Sequence, residues 1–369
     1  MITVAYDHQI FSAQQYGGVS RYFCELAARA DRASGFASKV IAPIHFNGFL
    51  AEHTGPKLAL YLPMRIPKTA RVYRAFNAGL SSLVMLAEPP HILHRTYYAQ
   101  GRRPRGSKVV VTVFDMIHEI YPHYFSSNDR TTALKRRAIS EADAVLCISQ
   151  STADDLQRLF AVPSEKIAVT HLGFSDAFAR VAAKVGTASA STRPYFLFVG
   201  DRSGHKNFKR LLAAYGASSS LTRDFDLIAF GGSPFDADEL ARIEALRLRR
   251  GAVRRAAGSD LRLADAYAGA HALVYPSEYE GFGIPPLEAM SAGCPTVCSN
   301  VSSIPEVVAD AGAYFDPLDI DSMRTAIERV AYGDDDRATL IERGRRRCLD
   351  FSWERCTKET LEVYRRLHP

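Results

Sequence analysis

Nearly continuous apolar runs alternate along this chain with stretches in which apolar positions recur every three to four residues. The runs ITVAY (2–6), KVIAP (39–43), HILH (91–94), KVVVTVF (108–114) and AVLCIS (144–149) predict strands buried on both faces, because a strand with one wet face alternates instead. Helical patterns lie between them, for example SRYFCELAARA from Ser20 and TTALKRRAISEA from Thr131. The pattern lapses over ARVAAKVGTASASTRP (179–194), where Ala, Ser, Thr and Gly replace any periodicity and a linker is expected. It restarts with YFLFVG (195–200), a helix from Asn207, DLIAFGG (226–232), a helix through ADELARIEAL, and HALVYP (271–276). The helix PLEAMSAG, the strand CPTVCSN and a helical tail follow.

Strands alternating with helices imply parallel sheets covered by helices, so the fold class is α/β. A chain of 369 residues also exceeds the roughly 250 to 300 at which a single core stops growing. Two consecutive doubly wound, Rossmann-like domains facing across a cleft are therefore expected, over 1–178 and 195–351, with 179–194 between them and a tail helix over 352–369. In such open sheets ligands bind beyond the carboxyl ends of the strands, so the loops after strands should carry the chemistry.

Composition changes this picture little. Hydrophobic content of 47% and charge of 23% suit a soluble globular protein. No leader precedes Ile2–Tyr6 and no apolar run approaches a membrane span, so a cytoplasmic protein is expected. The six cysteines show no paired CxxC spacing and read as reduced core thiols. Charge is more informative. Residues 1–175 carry 20 Lys+Arg against 13 Asp+Glu, and residues 176–369 carry 26 against 27. The positive excess gathers in RIPKTARVYR, with Arg65, Lys68, Arg71 and Arg74 three apart, and in GRRPRGSK (101–108). Spacing of three lines those cations along one side of a helix beside Ile66, Val72, Tyr73 and Phe76. The stripe suits the inner-leaflet surface of a membrane or a phosphate-bearing acceptor; an ordinary solvated face is the alternative.

The most informative loop is SEYEGFGIPPLEAMSAGCP (277–295). Proline is favoured at the first helical position, so a helix opening at Pro286 puts Glu288 third, where it either caps the helix or faces a ligand. Glu280 lies in the loop before it, among the amides of Gly281, Phe282, Gly283 and Ile284, with glycines that allow close approach. Free amides suit phosphate oxygens and carboxylates suit sugar hydroxyls, so the pairing points to a sugar carried on a diphosphate. Lys206 in SGHKNF follows a strand and precedes a helix, and it points toward the same ligand with a helix N-terminus behind it. The Asp-x-Asp strings at Asp224, Asp236 and Asp319 read as surface structure, and no metal is implied.

With seven residues between Glu280 and Glu288, this segment resembles the E-x7-E signature of family 4 retaining glycosyltransferases, which have the two-domain GT-B fold. The resemblance extends to YGGVSRYFCELA, VGDRSGHKNFKRLLAAY, GSDLRLADAYAGAHALVYPS and FSWERCTKETLEVYRRL, in that order along the chain. It implies an acceptor-binding first domain, a nucleotide-sugar-binding second domain and a tail helix that crosses back to the first. Glu280 would contact the transferred sugar and Glu288 the ribose, with the backbone of Phe282, Gly283 and Ile284 on sugar and phosphate. Lys206 would neutralise the diphosphate, helped by Arg202, although this chain has Asp201 where relatives carry the arginine. Gly17 and Gly18 resemble the glycine loop that approaches the donor phosphates. The first domain departs from the family pattern: Thr96 or Tyr97 stands where a histidine is usual, and Phe114-Asp115 where His-Asp is usual. Asp115 and His118 remain the candidate catalytic residues there.

The resemblance implies transfer of a hexose from a nucleotide sugar, with GDP-mannose favoured over UDP-sugars, to a saccharide or a lipid-diphosphate-linked acceptor in surface-polysaccharide assembly. No cofactor and no nucleic acid are expected. A sugar-nucleotide-binding protein without transferase activity is one rival reading, and a phosphorylase or synthase acting on soluble sugars is another. A nicotinamide-dependent oxidoreductase would need a G-x-G-x-x-G turn, which no loop after a strand contains.

Overall fold

The structure is a computed structural model that describes residues 1–64, 69–98, 101–175, 178, 193–202 and 204–368. The chain divides into two compact units, one made of Met1–Gly173 with Ser352–Pro369 and the other of Phe174–Phe351. The first unit thus closes at Gly173 rather than at residue 178. Most of the expected linker, residues 179–192, lies outside the described residues.

The first unit holds a seven-stranded parallel sheet. Its strands are β1 (Ile2–Tyr6), β2 (Phe36–His45), β3 (Lys57–Tyr61), β4 (Ile92–Arg95), β5 (Lys108–Val113), β6 (Ala144–Cys147) and β7 (Ile167–Val169). Their spatial order is β3-β2-β1-β4-β5-β6-β7, so the winding direction reverses between β1 and β4. Strands β4, β5 and β6 are buried along almost their whole length, and in β4 this includes the polar His94 and Arg95. The edge strands β3 and β7 are partly exposed. Helix Trp353–Leu367 belongs to this unit and packs on helix Gly18–Arg32. Among its buried side chains are Trp353, Cys356, Leu361 and Tyr364.

The second unit holds a six-stranded parallel sheet of β8 (Tyr195–Val199), β9 (Asp226–Phe230), β10 (Val253–Ala256), β11 (Ala272–Tyr275), β12 (Thr296–Ser299) and β13 (Gly312–Phe315). Its order, β10-β9-β8-β11-β12-β13, reverses between β8 and β11. The core on one face joins Phe196, Phe198, Leu227, Val274 and Val297 to Phe208, Leu212, Met323 and Ile327 from the covering helices. Each sheet is doubly wound, and a reversal point of this kind opens a crevice at the strand ends. In the second sheet the loops flanking that crevice are 200–207, after β8, and 276–283, after β11.

Among the described residues no helix is long and apolar enough to cross a membrane. All six cysteines are buried and unpaired. Burial raises the thiol pKa of Cys24, Cys147, Cys294, Cys348 and Cys356 to about 12, which keeps them protonated.

Candidate functional site

The two loops at the second sheet's reversal point meet through a side-chain pair. Lys206 Nζ lies 2.6 Å from Glu280 Oε1, and the same oxygen accepts a 2.6 Å bond from Ser277 Oγ. The geometry behind this pair is local on each side. Residues Gly204–Lys206 form one 3-10 turn, after which Asn207 takes a left-handed conformation at φ 59° and starts helix Phe208–Gly216. Asparagine tolerates that region better than most residues. Its side chain spans the site, donating from Nδ2 to the carbonyls of Pro276 at 3.0 Å and Pro317 at 2.7 Å. Glu278 N donates to the carbonyl of His205 at 2.7 Å, and Glu278 pairs with Arg210. Loop 276–283 is thereby fixed to the turn that carries Lys206.

Two serines after β12 fix the other side of Glu280. Ser302 Oγ accepts its backbone N–H at 3.0 Å, while Ser303 Oγ lies 2.8 Å from the carbonyl of Glu280 and 2.9 Å from that of Phe282. Burial alone would raise the pKa of Glu280. The charge of Lys206 and hydrogen bonds from Lys206, Ser277 and Tyr275 outweigh it and hold the carboxyl below its usual range. Lys206 and Glu280 keep 22% and 12% of their side-chain surface, so the pair is enclosed yet reachable.

Gly283 sits at φ 105°, a conformation open to glycine, and helix Ile284–Ser291 begins directly after it. The helix opens two residues earlier than the Pro286 start expected from sequence. Pro285 and Pro286 both fit the first turn, whose N–H groups need no helical acceptor. Glu288 is therefore the fifth helical residue, beyond the reach of a cap, and the capping alternative falls. It is buried and accepts a 3.1 Å bond from Tyr267 Oη.

Arg202 requires a correction. Its guanidinium does not project from the loop as a diphosphate ligand; its side chain is 4% exposed and donates from Nε to Glu239 Oε1 at 2.8 Å. Its remaining donors reach Glu239 Oε2 and the carbonyls of Gly231, Ser233 and Pro234. The shift from residue 201 to 202 turns the arginine inward, where it fastens the loop after β9.

The first unit places its expected residues at strand ends as well. Gly17 precedes helix Gly18–Arg32 in extended backbone. A Cβ there would meet Gln14 Oε1 at 2.4 Å, the movable end of a flexible side chain, so neither torsion nor backbone space demands glycine at this position. Asp115, after β5, accepts from Ile117 N at 3.1 Å, and 38% of its side chain is exposed. Buried Lys135 anchors that loop, donating to the carbonyl of Asp115 at 2.9 Å and to Glu119 at 2.8 Å. The ring of His118 stacks on Phe125 at 3.9 Å with its Nε2 3.7 Å from Asp129, the contacts of a packed loop histidine. Phe114 joins an aromatic cluster with Tyr22 and Phe23.

Sequence reasoning missed Asp7. It is buried after β1 and its Oδ1 accepts from Thr96 Oγ1 at 2.7 Å and from Thr96 N at 2.9 Å. Thr96 Oγ1 in turn receives Ile10 N at 3.1 Å. Thr96, which stands where a histidine was expected, thus ties together the two loops at the first sheet's reversal point. An aspartate one residue beyond a buried strand was the available signal. His94 is fully buried between Tyr364 Oη at 2.6 Å and Thr112 Oγ1 at 2.8 Å, and burial depresses its pKa to about 3.

Known proteins match the chain in both units. Residues 16–178 match the family model for Glycosyltransferase Family 4 and residues 182–347 that for Glycosyl transferases group 1. The chain is 32% identical over 314 residues to the O-antigen chain mannosyltransferase B of Escherichia coli, covering 82% of this chain and 81% of that protein. In fold it resembles the sucrose-phosphate synthase of Thermosynechococcus elongatus, with a TM-score of 0.73 at 19% identity over 100% of this chain and 99% of the other. WaaG, a glycosyltransferase involved in lipopolysaccharide biosynthesis, gives a TM-score of 0.72 at 17% identity, covering 99% of each chain. With two doubly wound sheets, both family models matched in order and a relative aligned over most of its length, the chain belongs to the family 4 glycosyltransferases of the GT-B fold.

Proposed function

We propose that this chain is a retaining, metal-independent hexosyltransferase that moves mannose from GDP-mannose to a saccharide or lipid-diphosphate-linked saccharide during cell-surface polysaccharide synthesis. The mannosyltransferase relative supports the choice of sugar. The observation that carries the reading is the Lys206–Glu280 pair at the second sheet's reversal point, 2.6 Å apart and still open to a ligand.

Breaking the bond from the sugar carbon to phosphate leaves positive character on the sugar and negative charge on the departing diphosphate. A preorganised cation and backbone amides lower that barrier most where water is scarce. In this reading Lys206 and the amides around Gly283 take the diphosphate, Glu280 holds hydroxyls of the transferred sugar, and Glu288 holds those of the ribose. The acceptor hydroxyl attacks from the face that the leaving group occupied, and its proton passes to a leaving phosphate oxygen, so no protein base is required. Loss of the usual histidine at Thr96 is then tolerable. Asp115, the exposed carboxylate of its loop, is the group proposed for orienting the acceptor.

A panel of nucleotide sugars tests the proposal by thermal stabilisation and slow donor hydrolysis. GDP-mannose should raise the melting temperature, and Lys206→Ala and Glu280→Ala should each reduce that shift and lower turnover by about 10²–10³-fold. Stabilisation by no nucleotide sugar would sink the reading, and unchanged binding in both variants would sink the residue roles.

A further inference from the structure

Five non-glycine residues among those described have positive φ: Ala161, Asn207, Arg247, Ser302 and Ala309. Three of them come just after the last turn of a helix. Ala161 follows Gln150–Phe160, Arg247 follows Ala237–Ala245 and its cap Leu246, and Ala309 follows Ile304–Val308. A left-handed residue is ordinary at such a place. Asn207 and Ser302 instead stand before helices, and each adjoins one member of the Lys206–Glu280 pair. Asn207 follows Lys206 in sequence, and Ser302 bonds to the backbone of Glu280. The positive torsions that helix ends do not explain thus gather around the charged pair.

Ser302 is the less expected of the two. Asparagine tolerates a left-handed conformation, whereas serine at φ 52° crowds its Cβ against the following carbonyl oxygen. Glycine would make the same turn without that strain, but glycine has no hydroxyl. Ser302 Oγ accepts the backbone N–H of Glu280 at 3.0 Å. Neighbouring Ser303 is fully buried and directs its own hydroxyl to the carbonyls of Glu280 and Phe282. Ser303 thereby holds the path of loop 276–283, and Ser302 sets the rotation of the peptide that leads into Glu280. That rotation decides where the carboxylate stands. Loss of the Ser302 bond leaves the contacts of Lys206 and Ser277 with Glu280 Oε1 in place, so the carboxylate stays in the site with a wider range of orientations. Backbone strain persists only where the surrounding structure enforces it, and loops that grip ligands are where it collects.

We propose that Ser302 is a positioning residue for the donor sugar: its strained backbone and its hydroxyl preset Glu280 against the hydroxyls of the transferred sugar, while the diphosphate contacts do not depend on it. This rests on the transferase reading above, in which Glu280 holds the sugar and Lys206 the diphosphate.

Kinetics and calorimetry with GDP-mannose and GDP, or with the donor and nucleotide that the panel above selects, check this. The variants are Ser302→Ala, Ser302→Gly, Glu280→Ala, and Ser302→Gly combined with Glu280→Ala. Each single Ser302 variant should lower kcat/KM and donor affinity about ten-fold, with affinity for the free nucleotide at the parent value. Ser302→Gly relieves the strain and should melt above Ser302→Ala, yet lose at least as much activity. Once residue 280 is alanine, removal of the Ser302 hydroxyl should change kcat/KM less than about two-fold, because no carboxylate is left to place. Additive losses in the combined variant overturn the proposal, as does an equal fall in nucleotide and donor affinity, or an activity that follows melting temperature. A parent protein that turns over its donor and is indifferent to Ser302 defeats this inference alone. A parent that binds no nucleotide sugar defeats the transferase reading and this inference with it.

Discussion

Lys206 and Glu280 each make the other's position tolerable, because either charge alone in so enclosed a place would be costly. Lys206→Ala is expected to lower kcat/KM about 10²–10³-fold in steady-state assays with GDP-mannose, the scale of losing one preorganised leaving-group contact. Arg202→Met separates the inward arginine from catalysis. It leaves Glu239 buried without its partner and should cost about 3–5 kcal/mol in chemical denaturation, while donor affinity per folded molecule is unchanged. Adding Glu239→Leu should return much of that stability. The meeting of Lys206 with Glu280 was legible in the sequence because each follows a recognisable strand. Their supports were not, since Ser302 meets Glu280 across 22 positions, Asp7 meets Thr96 across 89 and Asn207 meets Pro317 across 110. Arg202 misled for a related reason: only the loop after β9, 31 positions on, reveals what it binds.

Asn207 is where two elements, the turn after β8 and the helix that follows, are joined to a third. Asn207→Gly keeps the left-handed backbone and deletes the side chain, so its expected loss of about 2–3 kcal/mol measures the bonds to Pro276 and Pro317. Asn207→Ala adds backbone strain of about 1–2 kcal/mol, and the difference between the two denaturation midpoints isolates it. Central strands were readable because both faces are buried and their sequences are mostly apolar. The edges were not. β3 is half exposed, and β10 reads VRRA, with Arg254 drawn onto the sheet by buried Asp226. The start of helix Ile284–Ser291 was misplaced because two consecutive prolines satisfy the same first-turn rule, and the torsion of Gly283 decides between them.

At the scale of the molecule, helix Trp353–Leu367 completes the first unit through His94. That histidine titrates near 3 when folded and at 6.5 as an ordinary group. Between those values the unfolded chain binds the extra proton, so stability rises with pH across that window and is flat above it. Melting temperature should therefore fall as pH drops from 6.5 toward 4, with a slope from this group of at most about 1.4 kcal/mol per pH unit. His94→Gln should be less stable at pH 7 and show a shallower fall. The two-unit division was legible from chain length and from the restart of the strand pattern, but its boundary at Gly173 was not, because nothing in local composition marks it. The return of residues 352–369 fixes an order of events during translation. A ribosome releases the whole of residues 174–351 before the closing helix emerges. Until then the nascent first unit lacks Trp353 against Tyr22 and Tyr364 against His94, so its core cannot close before that helix is released.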